Sequence, residues 1–248
     1  MCTSCGEIEA LERAVRQQPG NPALLETLSW DLLEAGYLRE ALGFAERLVE
    51  LEPLSSGANV RLAQALYADG RTSEAIRQLK LVHQLNNDFG EWDLGAVNLV
   101  DGQDEIAIAH FEAFLERRGL PSNWVRELVT GARDPATGQA YLDRHIPQIV
   151  ASTPEEDAFN MQDALAEWYL LFGFLDRYFE PILDLDLTDS TWTDADIPVF
   201  VGTLFRRSGF TAHPKYLEVA ESIGIIDVWE HRGPPDFCEK VGGQWVCE

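Results

Sequence analysis

The four cysteines are the residues whose spacing most directly suggests chemistry. Cys238 and Cys247 lie on either side of the glycine pair Gly242-Gly243. If this pair forms a two-residue β-turn, the cysteines face each other in a non-hydrogen-bonded pair, where side chains come closest. The spacing therefore allows a disulfide or a close dithiol, depending on the redox state of the compartment. Cys2 and Cys5 form a CxxC pair, which by itself is a weak signal for zinc or redox chemistry.

Other side chains that could perform chemistry are scattered along the chain. Asp184 and Asp186 have the spacing of a calcium loop, but Asp189 and Ala195 stand where an EF-hand needs glycine and glutamate. No zinc-binding or hydrolase motif contains any of the five histidines, which are His83, His110, His145, His213 and His231. We therefore expect no catalytic residues, no metal site and no cofactor. The alternative is an enzyme or metal-handling accessory whose site lies in the C-terminal helical half.

The charge of the chain restricts its partners. Its 248 residues include 19 basic and 42 acidic side chains, so the formal net charge is -23 at pH 7. Such a field repels phosphate backbones, and we expect no nucleic-acid partner. No stretch reaches the roughly 18 to 20 apolar residues that a membrane-spanning helix needs, which predicts a cytoplasmic protein. The alternative is a periplasmic lipoprotein, if Cys2 is a lipidation site.

Glycine, alanine and proline recur at regular intervals in the first half of the chain. Each repeat has a glycine that suits a turn and an alanine five residues later; the pairs are Gly36 with Ala41, Gly70 with Ala75, and Gly102 with Ala107. The first two glycines are 34 residues apart, and so are Pro19 and Pro53. Combined with apolar residues at helical spacing, this period predicts repeated helix–turn–helix units. The small residues predict close contact between the two helices of each unit.

This pattern resembles the tetratricopeptide repeat over roughly residues 7 to 120. Leu28, Leu62 and Leu94 match the inner leucine of that family, and Ser29, Ala63 and Gly95 match its small residue. The resemblance implies an all-α, right-handed superhelix, to which the chain adds a small C-terminal β-hairpin. We expect a half-repeat plus three repeats in residues 1–120, degenerate helical hairpins in 121–232, and a hairpin cap in 233–248. The first helix has no partner helix in the sequence before it, and we expect it to act as a cap.

The resemblance also implies a binding face. In the family, a partner contacts one side of the first helix of each unit; the matching residues here are Glu26, Trp30, Glu34, Gln64, Tyr67, Phe89 and Trp92. Aromatic rings mixed with carboxylates suit a protein or peptide that carries basic and apolar residues. We therefore expect a non-enzymatic protein-binding scaffold. Two alternatives stay open: Trp30 and Trp92 pack within the chain, or the aromatic surface joins copies of it in a homo-oligomer.

The C-terminal segment is similar to that of a group of proteobacterial tetratricopeptide proteins. The residues that carry this likeness are His213-Pro214, Ile223-Gly224, Asp227, Trp229, Gly233, Pro235, Phe237, Cys238 and Cys247. Many of those proteins also carry a winged-helix or adenylate cyclase module, which this sequence lacks. The likeness therefore implies only their sensory or scaffolding half.

Overall fold

A computed structural model of the chain describes residues 3–85, 90–153, 165, 167–183 and 209–248. These residues form helices and one short antiparallel hairpin, so the fold is all-α with a C-terminal β-hairpin. The elements are α1 Thr3–Gln17, α2 Pro22–Glu34, α3 Leu38–Leu51, α4 Ser56–Ala68, α5 Thr72–Leu85, α6 Glu91–Val100, α7 Asp104–Arg117, α8 Val125–Ala132, α9 Gly138–Ser152, α10 Leu175–Leu183, α11 Pro214–Ser222, α12 Ile225–Arg232, β1 Cys238–Val241 and β2 Gln244–Cys247. A further helical stretch covers residues 167–171. In the part of the chain described, no helix is both long and apolar enough to cross a membrane.

The helices of the first half pair as α2–α3, α4–α5 and α6–α7. Each pair turns at a glycine in the left-handed region, with φ of 86° at Gly36, 84° at Gly70 and 77° at Gly102. The residue after each glycine donates its backbone N–H to the carbonyl five positions earlier, as in Tyr37 N to Leu32 O at 2.8 Å. This is the hydrogen bond of a Schellman cap, which ends a helix at a residue that is almost always glycine. The predicted helix–turn–helix units are therefore confirmed for these three pairs.

Small residues hold the two helices of each pair close together. Ser29 is fully buried and donates its hydroxyl to the Ala41 carbonyl at 2.9 Å. Ala63 and Ala75 are also buried in the second pair. In the third pair, a Cβ atom on Gly95 would lie 2.6 Å from Cε1 of Phe111. The predicted close approach at these positions is confirmed.

Beyond residue 120, α8 and α9 pack next to the third helical pair. Arg133 follows α8 and donates to the Leu99 carbonyl at 2.6 Å, while its guanidinium also binds the Asp104 carboxylate. The Leu99 carbonyl lies in the last turn of α6 and also accepts from the Gly102 N–H, so this arginine adds a second donor at the helix end. It thereby fixes the α8–α9 pair on the α6–α7 turn.

A run of aromatic side chains carries the core through the second half. Phe179 stacks on Phe210 with ring centroids 4.8 Å apart, and Phe210 contacts Tyr216 at 5.4 Å. Tyr216 in turn lies 6.4 Å from Trp229 of α12, and Trp229 contacts Trp245 of β2 at 5.2 Å. Aromatic pairs at such separations add to the stability gained from burying the rings. They connect α10, α11, α12 and the hairpin into one apolar layer.

The C-terminal hairpin has the predicted register. Val241 pairs with Gln244 next to the turn, and Cys238 pairs with Cys247 at the far end. Both turn glycines have positive φ, 60° at Gly242 and 90° at Gly243, as a type I′ turn requires. The cysteine Cα atoms lie 4.0 Å apart, and a disulfide joins the two side chains. Of the two states that the sequence left open, the structure has the disulfide.

The C-terminal segment also packs on the first helical pair, a contact that the sequence did not predict. Trp229 of α12 donates its indole N–H to the Ala35 carbonyl at 2.8 Å, and Tyr37 donates its hydroxyl to the Gly233 carbonyl at 2.7 Å. The Asp236 N–H binds the Gly36 carbonyl at 3.0 Å. We call this contact the clasp: α12 and residues 233–237 packed against α1 and the α2–α3 turn.

Side chains on α1 and α3 hold the clasp from its outer side. Arg232 contacts Glu12 of α1 and Glu40 of α3, each at 2.6 Å. Its guanidinium also lies 4.8 Å from the centre of the Tyr37 ring. Phe237 fills the space above Gly36, where a Cβ atom would come within 2.8 Å of the ring. The helix that was expected to act as a cap is therefore covered in turn by α12.

Candidate functional site

Helices α2, α4 and α6 place several of the predicted binding residues on one face. Trp30 of α2 is half-buried, and the guanidinium of Arg61 of α4 lies over its ring, 4.0 Å from the centroid. Arg61 donates to the Gln64 side-chain oxygen at 2.9 Å, and Gln64 donates to the Asp93 carboxylate of α6 at 3.3 Å. We call this row, from Trp30 through Arg61 and Gln64 to Asp93, the α2–α4–α6 face. Glu26 is exposed on the same helix as Trp30, one turn earlier.

Arg61 experiences two opposed effects. Burial lowers the pKa of its guanidinium, while the negative charges of Glu26, Glu34 and Asp93 raise it and offset part of that effect. The Nε atom of Arg61 is buried and has no hydrogen-bond partner among the described residues. A buried donor without an acceptor costs stability. Arg61 is thus held by an aromatic ring, one amide oxygen and surrounding negative charge.

Asp93 lies at the other end of this row. Burial raises the pKa of its carboxyl group, and the hydrogen bond from Gln64 and the charge of Arg61 act in the opposite direction. The net result is a pKa above the ordinary value of an aspartate, because the effect of burial exceeds those of Gln64 and Arg61. Gln64 links the cation and the acid, since it accepts from one and donates to the other.

The other predicted residues of α2 and α4 are more enclosed. Tyr67 is only 3% exposed and Glu34 only 9%. Both therefore offer little surface to a partner. Glu34 still acts on the α2–α4–α6 face through its charge, which raises the pKa of Arg61.

Trp92 packs within the chain, which was one of the alternatives for this residue. Its ring contacts Phe111 at 4.8 Å, Phe114 at 5.5 Å and Trp168 at 6.4 Å between centroids. Its indole N–H donates to the Glu167 carboxylate at 2.9 Å. Trp92 therefore connects the third helical pair to the stretch at 167–171. The remaining predicted residue, Phe89, lies outside the described residues, as do Asp184, Asp186 and Asp189.

Two residues of this face were not among the predicted binding positions. Arg61 lies three residues before the predicted Gln64, and Asp93 lies next to the predicted Trp92. The spacing of Arg61 three residues before Gln64, on the same side of a helix, was the signal that could have identified it. Asp93 has no comparable signal, because its partner Gln64 is 29 residues earlier.

A second cluster of charged residues joins α5, α6 and α7. Glu91 is only 2% exposed, and its carboxylate lies 2.6 Å from Nδ1 of His110 and 2.8 Å from the guanidinium of Arg117. Nδ1 of His83 is 2.8 Å from Oε1 of Glu91, the oxygen that Arg117 also contacts, although its orientation does not make a hydrogen bond. Burial raises the pKa of Glu91, but the hydrogen bonds and charges of His110 and Arg117 outweigh it and hold this pKa below its ordinary value. Contacts among these four side chains join α5, α6 and α7.

In the described ranges, no group of three or more His, Cys, Asp or Glu residues could hold a metal ion. Comparison with known proteins adds no assignment, since no family model matches the chain and neither a curated protein nor a solved structure shows significant similarity to it.

Proposed function

We propose that this protein is a non-enzymatic scaffold of the tetratricopeptide type. On this proposal it binds a protein or peptide segment with arginine or lysine beside apolar residues. The observation that carries the proposal is the guanidinium of Arg61 lying 4.0 Å above the Trp30 ring. A cation over an indole face is favoured electrostatically, and more so where water is partly excluded. The α2–α4–α6 face therefore has the chemistry that a basic segment requires.

Charge on this face supports the same kind of partner. Glu26 is exposed beside the Trp30–Arg61 pair, and the negative charges of Glu26, Glu34 and Asp93 all act on Arg61. The whole chain has a formal net charge of -23. Such a field attracts basic partners and accelerates their association. Acidic partners would be repelled.

The helical architecture supports the tetratricopeptide part of the proposal. Three helical pairs share the same glycine turn, and each has buried small residues where its two helices meet. Repeats of this kind stack so that equivalent faces of successive helices lie side by side, which creates extended binding surfaces. The contacts from Trp30 to Asp93 cross three successive first helices in this way.

A peptide-binding measurement tests the proposal. The probe is a labelled, soluble 12-residue peptide in which two leucines flank one central arginine, and its partner peptide has glutamate in place of the arginine. Fluorescence anisotropy should show binding of the arginine peptide only, and binding should weaken at about 0.5 M salt because screening reduces the attraction. Trp30→Ala should weaken this binding about tenfold, since it removes the stacking surface.

A matched pair of charge reversals localises the binding. Glu26→Lys reverses an exposed acid beside Trp30, whereas Glu50→Lys makes the same change on the exposed side of α3. We expect Glu26→Lys to lower the affinity for the arginine peptide about five- to tenfold, and Glu50→Lys to leave this affinity nearly unchanged. Equal effects of the two reversals, or equal binding of the two peptides, would refute a specific basic-segment site on this face.

A further inference from the structure

The side chain of Arg61 occupies a site built for a guanidinium group. Trp30 provides a ring face 4.0 Å below it, and Gln64 provides an oxygen at 2.9 Å. The carboxylates of Glu26 and Asp93 add negative charge from helices on either side of α4. A flat cation with N–H donors in its plane satisfies all three at once, because it stacks on the ring while its edge meets the acceptors. A compact ammonium group lacks this shape.

Arg61 itself fills this site imperfectly. Its Nε–H is buried without an acceptor among the described residues, and the only direct hydrogen bond that we assign to its guanidinium goes to Gln64 from the same helix. Because Arg61 and Gln64 are three residues apart on α4, the backbone limits how the guanidinium can turn toward α2 and α6. An arginine that enters from outside has no such restriction and can direct its donors toward the acids.

We propose that Arg61 is a built-in occupant of a guanidinium site, and that an arginine-bearing apolar segment of a partner protein binds by displacing it. This inference rests on the proposed function, which it extends from basic segments in general to arginine in particular. Displacement exchanges one cation for another over Trp30, so the charge balance with Glu26 and Asp93 is preserved. The site is thus open to a partner only in the fraction of molecules in which Arg61 has turned away.

The inference predicts that removing Arg61 improves binding. When a site is available in only a fraction of molecules, the apparent affinity is reduced by that fraction, and removing the competitor restores it. Arg61→Ala should therefore bind the arginine peptide about tenfold more tightly than the unaltered chain does. Among peptides that differ only at the central position, we expect arginine to bind better than lysine, and lysine better than the neutral isostere citrulline.

A charge-matched control separates displacement from simple electrostatics. Arg77→Ala removes the same positive charge from an exposed position on α5. If Arg61→Ala tightens binding only because the protein becomes more negative, Arg77→Ala should produce a similar gain. We expect it to produce less than a twofold change. Equal gains, or weaker binding by a folded Arg61→Ala variant, would overturn the inference.

A measurement on the unaltered chain avoids any effect of substitution on folding. The Arg61 Nε–H should give an NMR signal that is shifted by the ring current of Trp30. Saturation with the arginine peptide should remove this shift, because Arg61 leaves the ring. An unchanged Arg61 signal in the bound state refutes displacement, while loss of peptide binding in Glu26→Lys would still support the proposed function. If no variant binds the arginine peptide, the proposed function and the inference fail together.

Discussion

At the residue scale, the buried carboxylate of Glu91 lies against His83, His110 and Arg117. Replacement by glutamine keeps the shape but removes the negative charge that faces His83, His110 and Arg117. Removing one partner of a buried ion pair leaves the others uncompensated, so we expect Glu91→Gln to lower the free energy of unfolding by about 2 to 4 kcal/mol at pH 7. Urea denaturation of both proteins measures the difference. Glu127 is an exposed acid on α8, and Glu127→Gln should change the free energy of unfolding by less than about 0.5 kcal/mol.

The loss of stability caused by Glu91→Gln should depend on pH. The hydrogen bonds and charges of His110 and Arg117 hold the pKa of Glu91 below its ordinary value in the folded protein. A group whose pKa is lower in the folded than in the unfolded state adds stability above the unfolded pKa and loses it as pH falls through the folded pKa. The stability gap between the unaltered chain and Glu91→Gln should therefore be complete at pH 6 to 7 and shrink below about pH 4.5. A gap that widens in acid would contradict this electrostatic assignment.

Gly95 allows a prediction about packing at a single position. A methyl group there would lie 2.6 Å from the Phe111 ring, which is itself fully buried. We expect Gly95→Ala to lower the free energy of unfolding by about 1 to 3 kcal/mol, because overpacking a close helix contact forces side chains or backbone to shift. Gly43→Ala is the matched control, since nothing lies within 4 Å of a Cβ at this position of α3. It should stabilise the helix by about 0.5 to 1 kcal/mol, and thermal unfolding should separate the two signs.

At the element scale, the hairpin and the helical pairs could be predicted from sequence because their determinants are local. Two adjacent glycines specify the turn, and the cysteine register follows by counting outward from it. Glycine and alanine at a fixed period likewise specify the pairs α2–α3, α4–α5 and α6–α7. The role of Trp92 could not be predicted, because its partner Glu167 is 75 residues away. Which side of a repeat helix another element covers is not encoded near that helix.

The disulfide should act on the hairpin more than on the fold. A double Cys238→Ala, Cys247→Ala variant leaves Cys2 and Cys5 unchanged and releases a loop that spans nine positions. A cross-link over so short a loop contributes about 2 to 3 kcal/mol by restricting the open state. Hydrogen exchange of the β1 and β2 amides should therefore accelerate by at least about tenfold.

Exchange in α1 should remain slow in this variant, because the clasp residues Trp229, Tyr37 and Asp236 all lie outside β1 and β2. Glu239→Gln, an exposed substitution in the same hairpin, serves as the control and should leave both regions unchanged. Loss of protection in α1 would show that the hairpin and the clasp open as one unit.

At the scale of the whole molecule, the clasp should contribute to global stability. Trp229→Phe removes an indole N–H that is buried against the Ala35 carbonyl, whereas Trp245→Phe removes one that binds exposed Glu230. Leaving a buried polar group unpaired costs more than losing an exposed hydrogen bond. In denaturant unfolding, we expect Trp229→Phe to lower the free energy of unfolding by about 2 kcal/mol and Trp245→Phe to lower it by less than about 1 kcal/mol. Equal costs would indicate that the clasp contact with Ala35 adds nothing.

The clasp is also the part of the molecule that sequence reasoning could not reach. Its hydrogen bonds join residues 192 to 222 positions apart, and neither side carries a repeat or motif that identifies the other. The family pattern predicts how each helix meets its neighbour in sequence, but a linear array leaves the placement of its two ends relative to each other undetermined. The contact between α12 and α1 is therefore seen in the three-dimensional structure and not in the sequence pattern.

This contact has a consequence for the order of folding. Bringing together segments nearly 200 positions apart is entropically costly unless the chain between them is already compact. The helical pairs, whose contacts are local, should form first, and the clasp should close late, after the rate-limiting step. Weakening it should then accelerate unfolding while leaving the refolding rate almost unchanged. The clasp would in that case set how long the native state persists, rather than how quickly it is reached.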